Sequence, residues 1–179
     1  MSFDLYIFQA FNGLVGKNWL FDSFSFFFSE YSLFLLIILA IYFGWTIKNW
    51  RNKISFFLLS LTSLIVSRGI IVEILKLIFK RERPSDFLNI ETIIHGSGFS
   101  FPSGHTAFLF TLAFSIWVLN KKWGSIFIVL SFLTAISRII TGAHWPTDII
   151  FGILIGSIIP FILEPYFFKN KKEKSPPLF

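Results

Sequence analysis

Pro102-Ser103-Gly104-His105 leads straight into Thr106-Ala107-Phe108-Leu109-Phe110-Thr111-Leu112-Ala113-Phe114-Ser115-Ile116-Trp117-Val118-Leu119. A polar tetrad sits at the mouth of an apolar run that is short for a membrane helix but is counted as one. Ser103 can cap that helix, and Gly104 lets its backbone approach a ligand closely. Free N–H groups at a helix start bind phosphate readily. Taken alone, Ser-Gly before an apolar run is only a cap. The reading changes because two further clusters stand beside apolar runs in the same way. Lys76 is followed by Arg83-Pro84, and Ser137-Arg138 by His144 and Asp148. Polar groups beside or within membrane segments are costly, which makes them functional candidates by default.

The rest of the chain supplies the membrane. Of 179 residues, 54% are hydrophobic and only 15% charged, with 26 Phe, and the mean hydropathy is +0.71. Soluble domains carry about a quarter charged residues. The length fits one domain, read here as residues 1–168, followed by a basic tail, 169–179, whose Ser-Pro-Pro composition predicts disorder on the cytoplasmic side. The chain has no cysteine, so disulfides and thiolate metal sites are excluded. The net charge of +6 is scattered among apolar spans rather than gathered on a face, which argues against nucleic acid as a partner.

About 20 mostly apolar residues cross a bilayer as a helix. Five stretches qualify: roughly 31–47, 54–75, 104–120, 124–141 and 147–168. The expected fold is an all-α polytopic membrane helix bundle of five transmembrane helices. Residues 1–30 are read as an interfacial amphipathic segment, with Phe3, Ile7, Phe11 and Leu14 on its apolar stripe. If that segment also crossed, there would be six spans. Lys48, Arg51 and Lys53, then Lys121 and Lys122, then the tail lysines all fall on one side, which the positive-inside rule assigns to the cytoplasm. The three clusters then face the extracytoplasmic side of a multi-pass cell-membrane protein.

Each cluster has a chemical use. Asp148 lies four residues after His144 and would share its helix face. A carboxylate on one ring nitrogen fixes the tautomer and makes the other a better base or nucleophile. As an isolated pair, this could equally be a helix-start carboxylate beside an interfacial histidine. Lys76, Arg83 and Arg138 offer a point charge and two planar forks suited to phosphate oxygens. Snorkelling to lipid headgroups would explain them as well, and is the expectation for Lys80 and Arg81. The conjunction decides: eleven fixed identities fall in order, and at roughly one in twenty per position chance is negligible.

These residues resemble the type 2 phosphatidic acid phosphatase superfamily, in its membrane branch. Phe8-Gln9-Ala10-Phe11-Asn12-Gly13-Leu14 and the short length are similar to bacterial undecaprenyl-diphosphatases. The resemblance implies that His144 attacks phosphorus and becomes a phosphohistidine, with Asp148 orienting it. His105 would protonate the leaving group and then activate water. Lys76, Arg83, Ser103, Gly104 and Arg138 would bind the phosphate, with no metal or other cofactor. The implied substrate is a lipid phosphate or diphosphate, above all undecaprenyl diphosphate, cleaved to undecaprenyl phosphate for carrier recycling. Phosphatidylglycerophosphate and phosphatidate are alternatives. So is a phosphotransferase using the same intermediate, or a non-catalytic binder of anionic lipids.

Other polar residues carry weaker expectations. His95 reads as a loop histidine. Arg68 and Glu73 read as structural intramembrane polars bonding across helices or to their neighbours. Trp45, Trp50, Trp117, Trp123 and Trp145 read as an aromatic belt.

Overall fold

A computed structural model describes residues 2–88, 90 and 98–168. His95 and the basic tail lie outside them. The described residues form nine α-helices and one π-helical stretch, with no strand among them. The helices are α1 Ser2–Asn12, α2 Trp19–Glu30, α3 Ser32–Thr46, α4 Trp50–Leu64, α5 Val72–Phe79, α6 Pro84–Leu88, α7 Gly104–Leu119, α8 Lys121–Ile140 and α9 Pro146–Phe167. The π-helical turns, Ile65–Ile71, join α4 to α5 without a break. The protein is an all-helical membrane bundle.

Three helical runs are long and apolar enough to cross a membrane: Trp50–Leu88, Lys121–Ile140 and Pro146–Phe167. The α2–α3 pair, bent by 54°, makes a fourth if taken as one span, and α7 is a shorter apolar helix. The segment expected at 54–75 is longer at both ends, because the π turns let the helix continue past Glu73 to Phe79.

Helix α7 is the central post. Small residues let its neighbours approach, as membrane helices require when apolar attraction gives no preference between protein and lipid. A Cβ on Gly152 would stand 2.8 Å from Ser103 O, and one on Gly156 would stand 2.5 Å from Ala107 O. Hydroxyl pairs then lock helices together: Ser67 with Thr111 at 2.8 Å, Ser32 with Thr134 at 2.7 Å and Ser29 with Thr141 at 3.1 Å. Around α7, Leu36, Phe43, Phe56, Leu109, Ile116 and Phe127 close the apolar core.

The Ser55 hydroxyl donates to Phe167 O, tying the start of α4 to the end of α9. With the alternating directions of α7, α8 and α9, the loops bearing Lys48, Arg51, Lys53, Lys121 and Lys122 sit at one end of the bundle. Ser103, Arg138 and Asp148 sit at the other.

Helix α1 lies across that second end, and its buried face differs from the expected stripe. Phe3 is 58% exposed, whereas Asp4 is 5% and Phe8 1% exposed. Asp4 turns inward because the first turn of α9 offers it unpaired donors. It accepts from Thr147 N at 2.9 Å and from Thr147 Oγ1 at 2.7 Å. Eight residues on, Asn12 Nδ2 donates to Ile140 O at the end of α8. One short helix thus satisfies the ends of two long ones. Helix α2 packs on α8 with Ser25 and Ser29 buried, rather than lying open along a surface.

Candidate active site

The spacing between Arg138 and His144 follows from how α8 stops. Beyond Ile140 the chain doubles back, so that Ala143 N and His144 N both donate to Arg138 O, at 3.1 and 3.2 Å. The turn passes through Gly142 at φ +79°, a conformation that L side chains avoid. Five intervening residues therefore place His144 directly over the last turn of α8. It is 1% exposed.

Pro146 then starts α9, and Asp148 is its third residue. Asp148 is at once the carboxylate at the start of α9 and a neighbour of His144. Its Oδ2 accepts from Trp145 N at 2.9 Å at the start of α9, and stands 3.5 Å from His144 Nδ1. That second distance is ion-pair range and longer than a hydrogen bond, and Nδ1 has no hydrogen-bond partner.

The start of α7 reaches the same place through the backbone. Ser103 N donates to Asp148 O at 3.0 Å. Ser103 Oγ caps α7, accepting from Thr106 Oγ1 at 3.0 Å and Thr106 N at 3.4 Å. Gly104 and His105 occupy the first two positions of α7, where N–H groups lack intrahelical acceptors.

Three cations converge from three elements. Lys76 is in the last turn of α5, which Lys80 terminates in a left-handed conformation at φ +42°. Arg83 is 5% exposed and donates from Nη1 to Ala143 O at 2.7 Å and from Nε to Gly98 O at 3.0 Å. Arg138 is 3% exposed; its Nη1 is shared among Ser29 O, Ser29 Oγ and Glu30 Oε1, while its Nε is buried without a partner. Arg138, Arg83 and Lys76 all act electrostatically on His144. Burial first, and then these three charges, holds the His144 imidazole well below its ordinary pKa of 6.5. It is neutral at pH 7. All eight candidate residues, Lys76, Arg83, Ser103, Gly104, His105, Arg138, His144 and Asp148, gather at this end of the bundle.

Arg81 corrects an expectation. It does not snorkel to headgroups. Its Nη1 donates to Asp148 Oδ1 at 2.8 Å and Thr147 Oγ1 at 2.6 Å, and its Nη2 donates to Asp4 Oδ2. Its guanidinium also lies 5.2 Å from the Trp145 ring centre. Two carboxylates fix it, and neither is near it in sequence. Burial raises the Asp4 pKa, but the bonds from Thr147 and Arg81 outweigh it and leave that carboxyl below its ordinary value. Trp145 is likewise no belt residue: it is 3% exposed, packs on Phe8 at 5.4 Å and donates from Nε1 to Glu82 O. Nothing in the sequence pattern marks Ser100. Its N donates to Arg81 O and its Oγ to Glu82 O, pinning the segment that carries Arg83. Among the described residues, no three His, Asp or Glu side chains group as a metal site would require.

Fold and site together define a helical membrane protein with a buried, cation-ringed histidine. Residues 56–172 match the PAP2 superfamily, and the chain belongs to that family. It is 29% identical over 160 residues to the undecaprenyl-diphosphatase BcrC of Bacillus subtilis, covering 87% of this chain and 80% of that one. The crystal structure of Aquifex aeolicus LpxE superposes with a TM-score of 0.67 at 30% identity, over 90% of this chain and 94% of that one. The transmembrane PAP2-type phosphatidylglycerolphosphate phosphatase of Bacillus subtilis gives the same TM-score at 23% identity, over 97% and 88%, which speaks for the fold. The chain is a membrane phosphatase of the PAP2 type.

Proposed function

We propose that the protein hydrolyses undecaprenyl diphosphate to undecaprenyl phosphate and phosphate through a phosphohistidine on His144. The observation that carries the chemistry is the convergence of Lys76, Arg83 and Arg138 on one buried, neutral imidazole. With Nδ1 turned to Asp148, Nε2 is the nitrogen left to attack. The 3.5 Å gap to Asp148 closes as positive charge develops on the ring, in keeping with the loose geometry of unliganded catalytic pairs. The buried, unpaired Nε of Arg138 receives a phosphoryl oxygen. The N–H groups of Gly104 and His105 at the start of α7, with Ser103, add further donors.

His105, beside them, protonates the leaving oxygen, so the P–O bond breaks as the P–N bond forms. It then takes a proton from water, which attacks phosphorus and releases phosphate and free His144. Covalent catalysis divides one hard step into two easier ones, and the cations stabilise charge on the equatorial oxygens in each.

The substrate reading rests on the likeness to the Bacillus subtilis undecaprenyl-diphosphatase over most of both chains. The placement of the site at the end opposite the basic loops supports cleavage on the extracytoplasmic side. Phosphate release from purified protein with EDTA present tests both points. The panel contains undecaprenyl diphosphate, phosphatidylglycerophosphate and phosphatidate, each with wild type and His144→Ala. Release from the diphosphate that vanishes in the variant is expected. Preference for a glycerophospholipid moves the substrate; phosphate recovered on a supplied acceptor in place of free phosphate makes the protein a transferase. Sidedness is read by cysteine labelling at residues 2 and 172. Five spans put them on opposite faces; six put them on the same face.

A further inference from the structure

One charged pair is left outside this machinery. Arg68 and Glu73 pair with each other on the membrane run, their side chains 37% and 48% exposed. The exposed side chains around them are Ile65, Ile70, Ile74 and Leu77, so the pair opens on an apolar, bilayer-facing surface. Intramembrane charges in such a place are costly and mark function by default.

The backbone beneath them is unusual in a matching way. Residues 65–71 are π-helical. The wider π turn brings positions five apart into line, which is why Arg68 can reach Glu73. π-Helical turns concentrate at functional sites. The inner side of Arg68 lies against the start of α7. A Cβ on Gly104 would stand 2.6 Å from Arg68 Nε and 3.0 Å from its Cζ. Arg68 is also among the charges acting on His105 and on Lys76. Its guanidinium therefore lies between the lipid surface and the residue assigned to the leaving group.

We infer that Arg68 binds the lipid-linked phosphate of a diphosphate substrate, with Glu73 holding the guanidinium until that phosphate replaces it. The inference rests on the phosphatase reading, and deepens it. In a lipid diphosphate, the phosphate attacked by His144 lies innermost. The departing phosphate carries the hydrocarbon chain and must lie towards the bilayer, on the His105 side. Arg68 is a fork-shaped donor at that position. A phosphate monoester has nothing there for it to hold, so Arg68 favours diphosphates.

Calorimetry with inorganic phosphate and inorganic pyrophosphate tests this in the His144→Ala background, which prevents turnover. The expected parent binds pyrophosphate roughly 10- to 100-fold more tightly than phosphate, the scale of one or two charge-assisted hydrogen bonds. Adding Arg68→Gln removes most of that ratio and leaves phosphate binding within about twofold. If Arg68→Gln fails to fold, Arg68→Met serves, since an apolar side chain suits that surface. A parent with no preference for pyrophosphate overturns the inference, as does a ratio that survives the loss of Arg68. Equal weakening of both ligands would make Arg68 structural and also overturn it. The phosphatase reading fails separately, on phosphate release independent of His144, while the binding ratio is still read.

Discussion

Arg81 Nη1 donates to Asp148 Oδ1 at 2.8 Å, while the other oxygen of the same carboxylate faces His144 Nδ1 at 3.5 Å. The carboxylate that orients the imidazole is thus itself held from behind, by an arginine that also binds Asp4. Arg81→Gln is expected to lower kcat roughly 10- to 100-fold, the scale of one or two hydrogen bonds to a charged group. KM should change little, because Arg81 does not reach the phosphate pocket. Arg81→Lys should recover part of the loss. A rise in KM without a fall in kcat would place Arg81 in substrate binding instead.

His144→Ala is expected to lower turnover by at least about a thousandfold, since it removes the group that attacks phosphorus. A rapid alkaline quench of wild type with radiolabelled substrate should trap labelled protein, because phosphohistidine survives base. His105→Ala should slow decay of that label as well as its formation. Absence of label in wild type under single-turnover conditions would count against the covalent route.

The pH dependence follows from His144. Its pKa in the folded state lies well below 6.5 because of burial and three neighbouring cations. The free enzyme therefore keeps its neutral imidazole as pH falls through 6.5, and His144 should not produce an acid limb in kcat/KM near that pH. The unfolded chain does take up a proton there. Stability should therefore fall as pH drops below 6.5, and His144→Asn should flatten that dependence in thermal unfolding measured from pH 7 to 5. A fall in stability below pH 6.5 that His144→Asn leaves unchanged would contradict the burial argument.

Gly156→Ala should be among the costliest small substitutions in the bundle. Its Cβ would stand 2.5 Å from Ala107 O, a backbone atom that can yield only by separating α7 from α9. A loss of about 1–3 kcal/mol is expected, read as a lowered midpoint of unfolding in detergent. Gly69→Ala is the control, because nothing lies within 4 Å of the added carbon.

What the sequence made legible was local. The all-helical membrane bundle could be read from apolar length, and the three clusters from spacing, because each is set by one turn or one helix start. Arg81 and Asp4 were not legible. Their partners lie 77 and 143 positions away in the chain, and a lone arginine near a span end looks the same whether it snorkels or binds a carboxylate. Asp4 lies off the stripe of Phe3, Ile7, Phe11 and Leu14, so nothing in that pattern placed it on the buried face. Trp145 matched the pattern of a belt residue for the same reason: position along a span does not reveal depth inside the bundle. The Arg68–Glu73 pairing depends on a π register that ordinary helical spacing does not anticipate.

The bridge formed by α1 has a consequence for biogenesis. Ribosomes make Asp4 well before its partners Arg81 and Thr147. The opening helix must wait at the bilayer surface until the final hairpin has inserted. Only then does it dock and complete the support behind Asp148. Competence thus arrives in a last closing step rather than growing span by span, and a chain stalled before α9 would be a membrane protein with no working centre.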